Sequence, residues 1–197
     1  NMQFMSSFGS RGSTPGLFNT PTGIAVDDMD YIYVADRNNH RVQMFASDGT
    51  YVTSFGSKGH GVNQFNTPWS VALGGTRKNN DLRLYVSDYN NHRIQVLSCD
   101  GQFLYQIGSN GTANGQLRHP GGLTVTEQGH LIVCDYSNHR VQVFDTSHQS
   151  QGQFVKACGG IKGVGEGQFS QPYGVTTTPN GNIVICEWGN HRVQVFD

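Results

Sequence analysis

One short stretch occurs four times in this chain of 197 residues. Each copy begins with an acidic residue and continues, three positions later, with Asn-His-Arg, an aliphatic residue and Gln. The copies span residues 36–45, 88–97, 135–144 and 187–196. Their histidines therefore lie 52, 47 and 52 residues apart. Self-similarity at this period predicts a repeat architecture.

Each repeat contains four short segments when the copies are aligned on the histidines. In the first repeat these are Gly23–Val26 after a proline, Ile32–Ala35, Arg41–Phe45 and Tyr51–Phe55. The segments are rich in β-branched and aromatic residues and are bounded by Gly, Asn or Asp, which is typical of β-strands between tight turns. Four antiparallel strands in a unit of this length predict a β-propeller blade, whose apolar faces are buried by radial stacking.

The two ends of the chain supply different segments of one repeat. Nothing follows the third segment of the last repeat, whereas residues 4–9 match the fourth segment, 51–56. We therefore expect an all-β fold, a propeller of four-stranded antiparallel blades, with the ring closed by the N-terminal strand pairing in the last blade. Residues 1–197 should form a single domain and a monomer, with repeats at 10–56, 57–108, 109–159 and 160–197 plus 1–9.

The repeats also define two faces. Insertions within 74–81 and near 145–152 fall between first and second strands and between third and fourth strands. In an up-and-down blade both of these connections open onto one side, which we call the lower face. The connections after the second and fourth strands open onto the opposite side, which we call the upper face.

Composition narrows the class of protein. The net charge is −1, and no run of about 18 apolar residues is present, so we expect no membrane span. The four cysteines, at 99, 134, 158 and 186, form no C-x-x-C pair, which disfavours a zinc site. We expect the cysteines to be reduced and structural in a reducing, cytoplasmic location, although the sequon at 110–112 points weakly the other way.

The repeated carboxylates and histidines have two readings. They could form a ring that binds a metal in a hydrolase or lyase, or they could build the turn from second to third strand in every blade, with the carboxylate accepting N–H bonds or pairing with the arginine. An active site needs asymmetric roles, and a feature spelled alike in every blade lacks them. We therefore expect no enzyme activity, no metal site and no cofactor.

The chain resembles NHL-repeat propellers, through the Asn-His-Arg present in all four copies. The loop style of residues 8–23 is similar to the C-terminal domain of animal TRIM-NHL proteins. Such propellers usually have six blades, which leaves three possibilities open: a compact four-bladed ring, part of a larger ring, or an arc that closes with another copy. The resemblance implies either binding of single-stranded RNA or recruitment of protein substrates to a ubiquitin ligase.

We expect the residues that bind a ligand at exposed positions where the repeats differ from one another. On the upper face such positions follow the motif carboxylate, follow the proline of the first strand, or carry cations in the loops after fourth strands. The candidate ligand-binding residues are Arg11, Thr22, Arg37, Lys58, Trp69, Tyr89, Arg118, Tyr136, Lys162, Tyr173 and Trp188.

Aromatic and basic side chains on one face suit single-stranded RNA, because bases stack on rings while cations attract phosphates. We therefore expect a non-catalytic module that binds single-stranded RNA. The alternative is a protein–protein interaction platform that takes an extended acidic peptide on the same face. The aromatic residues could also pack over the blade tops without contacting any ligand.

Overall fold

The computed structural model describes residues 3–147 and 150–197. Within them, every strand segment named above forms a β-strand except the N-terminal one. The strands are β1 (Pro21–Val26), β2 (Ile32–Asp36), β3 (Arg41–Phe45), β4 (Tyr51–Phe55), β5 (Ser57–Lys58), β6 (Gln64–Phe65), β7 (Pro68–Gly74), β8 (Arg83–Asp88), β9 (Arg93–Ser98), β10 (Phe103–Ile107), β11 (Pro120–Val125), β12 (His130–Asp135), β13 (Arg140–Asp145), β14 (Gln153–Gly159), β15 (Pro172–Thr177), β16 (Ile183–Glu187) and β17 (Arg192–Phe196).

The strands form four antiparallel sheets, one for each repeat. Blade 1 contains β1–β4, blade 2 β7–β10, blade 3 β11–β14 and blade 4 β15–β17. Strands that follow one another in a blade are neighbours in its sheet, and β5 pairs with β6 in parallel. The first strand of each blade packs against the first strand of the next, from β1 through β7 and β11 to β15. The all-β propeller architecture is confirmed.

Apolar side chains hold successive blades together. Tyr33, Val42 and Met44 of blade 1 are buried in one cluster with Val71 and Leu84 of blade 2. Equivalent clusters join blade 2 to blade 3 and blade 3 to blade 4. Each square ångström of apolar surface buried in this way contributes about 25 cal/mol. The core is therefore a series of junctions between blades.

The insertion at 74–81 reinforces the first junction on the lower face. Arg77 Nε lies 2.8 Å from the carboxylate of Asp27 in blade 1, and its guanidinium also contacts the Tyr33 hydroxyl. Backbone N–H groups of Arg77 and Lys78 donate to the Asp28 carboxylate. The inserted loop thus crosses to the neighbouring blade.

The expectation of a closed ring was wrong for this structure. The sheet of blade 4 has three strands, and residues 3–10 belong to no sheet. They pack instead on blade 1, where the Phe8 ring lies 4.9 Å from the Phe45 ring. Since β1 and β15 lack the packing that joins other first strands, the three junctions do not turn the chain through a full circle. The blades form an open arc.

The N-terminal segment nevertheless has the position of an outer strand relative to blade 1. A Cβ at Gly9 would lie 2.5 Å from the Phe18 ring, and one at Gly56 would lie 2.4 Å from the Phe65 ring. The alignment of residues 4–9 with 51–56 therefore holds in space, and only the pairing with β17 is missing.

In the described part of the chain, no helix is long and apolar enough to cross a membrane.

Candidate upper-face binding site

The repeated motif forms the turns between second and third strands, which lie on the upper face. Residues 37–39 form a 3-10 turn between β2 and β3, and Asp36 lies buried beneath it. The Asp36 carboxylate accepts bonds from the Asn19 backbone N–H at 2.7 Å, Arg41 Nε at 2.9 Å and Gln43 Nε2 at 3.0 Å. Asp88, Asp135 and Glu187 form the same network in the other blades. The structural reading of the motif is confirmed.

The motif histidines connect one blade to the next. His40 follows its turn in the left-handed region, with φ of 56°, and its Nδ1 accepts the Thr67 N–H of blade 2 at 3.1 Å. His92 accepts the His119 N–H and His139 accepts the Gln171 N–H, both at 3.1 Å. We call these three bonds the histidine latches. Burial lowers the pKa of each latch histidine, which favours the neutral ring that can accept.

Four of the candidate aromatic residues pack together in one cluster on the upper face. The Trp69 ring centroid lies 5.3 Å from that of Tyr89 and 5.2 Å from that of Tyr173. Tyr136 lies 6.2 Å from Tyr89 and 6.3 Å from Tyr173. Trp69 and Tyr173 belong to blades 2 and 4, and blade 3 has Gly121 at the corresponding position. The cluster therefore spans three blades.

Arg37 of blade 1 completes this cluster. Its guanidinium carbon lies 4.3 Å from the Trp69 ring centroid, which is a cation–π contact. Its Nε is buried and has no hydrogen-bond partner among the described residues. Arg37 also opposes the effect of burial, which raises the pKa of Tyr89 and Tyr173. The Arg37 guanidinium thus stacks on the aromatic cluster at Trp69 and keeps one buried N–H without a partner among the described residues.

Four further cations lie in the connections that lead to the first strand of each blade. Arg11, Lys58, Arg118 and Lys162 are all exposed. The motif arginines, in contrast, are paired with the motif carboxylates at 2.5 to 2.9 Å. Once these four pairs are set aside, the upper face keeps five cations, including Arg37, against Glu166. The face is therefore positive on a chain whose net charge is −1.

Two candidate residues lie apart from the cluster. The Trp188 side chain is 62% exposed and makes no ring contact within the described residues. The Thr22 hydroxyl donates to the Trp69 carbonyl at 2.6 Å, so it joins blades 1 and 2. Sequence reasoning missed His119, whose ring lies 4.8 Å from Tyr89. Its place just before a strand-opening proline could have identified it.

The chain matches the family model described as NHL repeat at residues 18–45, 65–97, 117–144 and 169–196. It is 32% identical over 130 residues to "Protein brain tumor" of Drosophila melanogaster and 41% identical over 130 residues to "B-box type zinc finger protein ncl-1" of Caenorhabditis elegans. Both matches cover 66% of this chain, but only 12% and 14% of those proteins. Human "E3 ubiquitin-protein ligase TRIM32" is 44% identical over 46 residues, which is 23% of this chain and 7% of that protein.

Solved structures show the same fold at low identity. A virginiamycin B lyase from Staphylococcus aureus superposes with a TM-score of 0.63 at 18% identity, over 89% of this chain and 55% of the lyase chain. A chain of the nidogen/laminin complex superposes with a TM-score of 0.65 at 16% identity, over 89% of this chain and 60% of that one. With four matched repeats and these relatives, the chain belongs to the NHL-repeat family and is related to TRIM-NHL proteins.

Proposed function

We propose that this chain is a non-catalytic binding module whose upper face recognises single-stranded RNA. The observation that carries the proposal is the aromatic cluster with Arg37 stacked on Trp69, on a face whose loops carry exposed cations. Single-stranded nucleic acids are bound by this combination of stacking surfaces and positive charge.

The aromatic residues divide into two groups. Trp69, Tyr89 and Tyr136 are half-buried and pack on one another, so they form a rigid base. Tyr173 and Trp188 are exposed and offer ring faces to unstacked bases. Base stacking on such a ring contributes about 1–3 kcal/mol per base. The proposed RNA therefore stacks on Tyr173 and Trp188.

The cations define where the phosphates lie. Lys58, Arg118 and Lys162 lie close enough to His40, His92 and His139 respectively to lower their pKa. One cation therefore lies beside the histidine latch of each blade junction. A strand that follows the arc would place successive phosphates beside these loops, while Arg37 approaches a phosphate at the centre.

The test is a fluorescence-anisotropy titration of randomised single-stranded RNA. The variant carries Lys58→Glu and Lys162→Glu, and the matched control carries Lys78→Glu and Lys156→Glu, which change the net charge equally away from the upper face. We expect the variant to lose at least about tenfold in affinity, since charge-assisted contacts contribute about 1.5–3 kcal/mol, while the control stays near the wild type. Equal losses in both variants, or no wild-type binding at low salt, would refute the proposal.

A protein partner is the second candidate, and apolar side chains on the same face favour it. Val62, Ile161 and Val164 are exposed in the upper loops of blades 2 and 4. An acidic, extended peptide could contact them while its carboxylates pair with the cations. The relatives named as ubiquitin ligases support substrate recruitment as the role of such a surface. If an acidic peptide binds at high salt and an Ile161→Asp, Val164→Asp variant loses that binding, this candidate would be favoured.

A further inference from the structure

A second site lies on the upper face of blade 2, apart from the aromatic cluster. A cavity of about 300 Å³ lies between the loop that leads to β7, the turn from β8 to β9 and the residues that follow β10. Its lining includes His60, Asn91, His92, Ser109 and Asn110, and none of the four clustered rings. This volume is at the lower end of the range for small-molecule sites, so the cavity has room for a small ligand.

The free polar groups of this cavity are neutral. Arg93 is the one arginine, lysine or carboxylate among its described lining residues, and it is 9% exposed. Its guanidinium already donates to the Asp88 carboxylate, to Gln106 Oε1 and to the carbonyls of Gly61 and Gln64. The cavity therefore offers uncharged hydrogen-bonding groups on a face that is otherwise positive.

The surrounding hydrogen bonds fix the proton position on both histidines of the cavity. Asn91 donates with Nδ2 to two other acceptors, so its Oδ1, which lies 2.6 Å from His60 Nδ1, must accept. His60 Nδ1 therefore carries the proton, and Nε2 of the neutral ring is an acceptor. His92 Nδ1 accepts the His119 N–H, so its Nε2 carries the proton and is a donor. Neither Nε2 atom has a partner among the described residues.

Blade 2 also differs from its neighbours in having an amide where they have a cation. The motif asparagine of each blade donates to a glycine carbonyl in the preceding connection, which aligns the four connections. The residues before these glycines are Arg11, Lys58, Asn110 and Lys162. Lys58 and Lys162 lie close enough to the motif histidines of blades 1 and 3 to lower their pKa. Asn110 occupies the equivalent position and lines the cavity with His92.

We propose that this cavity receives one unstacked base of the bound strand and discriminates between bases through their hydrogen-bonding edges. The inference rests on the RNA binding proposed above and assigns base selection to residues outside the aromatic cluster. A base is a neutral ring whose edge carries donors and acceptors, whereas a phosphate would favour the lysines of the equivalent positions. The His60 ring is exposed and adds a stacking surface, and the Asn110 amide can donate and accept together.

The neighbouring charge agrees with this assignment. Arg118 is exposed and lies close enough to His92 to lower its pKa. A phosphate beside Arg118 would therefore lie next to the cavity that holds the base. Backbone contact and base contact are then made by different residues, which is the usual division in nucleic-acid recognition.

The test compares the affinities of single-stranded oligonucleotides of adenine, cytosine and uracil of equal length by fluorescence anisotropy. We expect the best and the worst of the three to differ by at least about fivefold for the wild type, which is the range of a lost uncharged hydrogen bond. Asn110→Lys restores the lysine of the equivalent positions, so it should keep or raise every affinity but reduce the difference to about twofold or less. His60→Ser introduces the residue that blade 1 has as Ser13 and should reduce the difference in the same way.

The matched control is Asn114→Lys, which adds the same charge to the same loop at an exposed residue outside the cavity and should keep the wild-type difference. Since positions 60 and 110 are exposed, circular dichroism melts should show wild-type stability for both cavity variants. Equal wild-type affinities, a difference that persists in either cavity variant, or its loss in the control would overturn this inference while leaving RNA binding intact. Absence of binding to all three oligonucleotides would refute the proposed function, and the inference with it.

Discussion

The substitution Asp135→Asn probes the motif network where it is best buried. The Asp135 carboxylate accepts the Arg118 backbone N–H at 2.7 Å, Arg140 Nε at 2.8 Å, Asn138 Nδ2 at 2.9 Å and Gln142 Nε2 at 3.1 Å. Every one of these partners is a donor. Three of these donors bond to Oδ2 and the Arg118 N–H bonds to Oδ1. An asparagine replaces one of the two oxygens by an NH2 group, so at least one donor loses its bond and Arg140 loses the negative charge beside it.

The expected cost follows from the burial of Arg140, whose side chain is 8% exposed and which is paired with this carboxylate. Removing one partner of a buried ion pair destabilises a protein by about 3–5 kcal/mol. Glu187→Gln is the matched comparison, since its partner Arg192 lies on the open flank with 30% side-chain exposure. Solvent can reach Arg192, so we expect a loss of about 1 kcal/mol there.

Urea unfolding followed by circular dichroism measures both losses, provided that the slopes with denaturant stay equal. A loss below about 1 kcal/mol for Asp135→Asn, or an equal loss for Glu187→Gln, would contradict the reasoning, since the network would then not depend on burial.

Three further predictions follow from the same geometry. The latch histidines have pKa values below their ordinary value, so the native state binds fewer protons than the unfolded state. Stability should therefore be full above about pH 6.5 and fall as pH drops through the lowered pKa, by about 0.5–1.5 kcal/mol per latch, in urea melts at several pH values; stability that does not change with pH would contradict this. Gly159→Ala should lower the melting temperature more than Gly129→Ala, because both have positive φ but only at Gly159 would a Cβ lie 2.7 Å from a carbonyl oxygen; equal shifts would exclude the close contact as the cause. Trp188→Ala should weaken RNA binding by about 1–3 kcal/mol in anisotropy titrations without changing the melting temperature, because the side chain packs on no other ring; unchanged affinity would remove Trp188 from the proposed site.

The strands could be predicted from the sequence because the repeat supplies four versions of each element. An apolar segment such as Ile32–Ala35 recurs with similar flanking residues, so its assignment as a strand rests on four copies and not on one. The scaffold role of the motif was also predictable, since Asp36 and its equivalents occur with Arg in every copy.

Closure could not be predicted, because it depends on the angle between blades. That angle is set by the bulk of side chains in each junction, and the phase of residues 4–9 carries no information about it. The bond from Thr67 N–H to His40 was equally hidden, since it joins residues of different blades through a backbone group. The stacking of Arg37 on Trp69 was missed for the same reason: each residue was recognised, but not their contact.

The most direct test of the account is the salt dependence of RNA affinity for the wild-type chain. If the five free cations of the upper face contact phosphates, the logarithm of the affinity should fall with the logarithm of salt concentration with a slope of about −3 to −4, since each neutralised phosphate of a single strand contributes about 0.7. The Lys58→Glu, Lys162→Glu variant should have a shallower slope by about 1.4 or more. A wild-type slope near zero, or a slope that the variant leaves unchanged, would contradict recognition of RNA by this face.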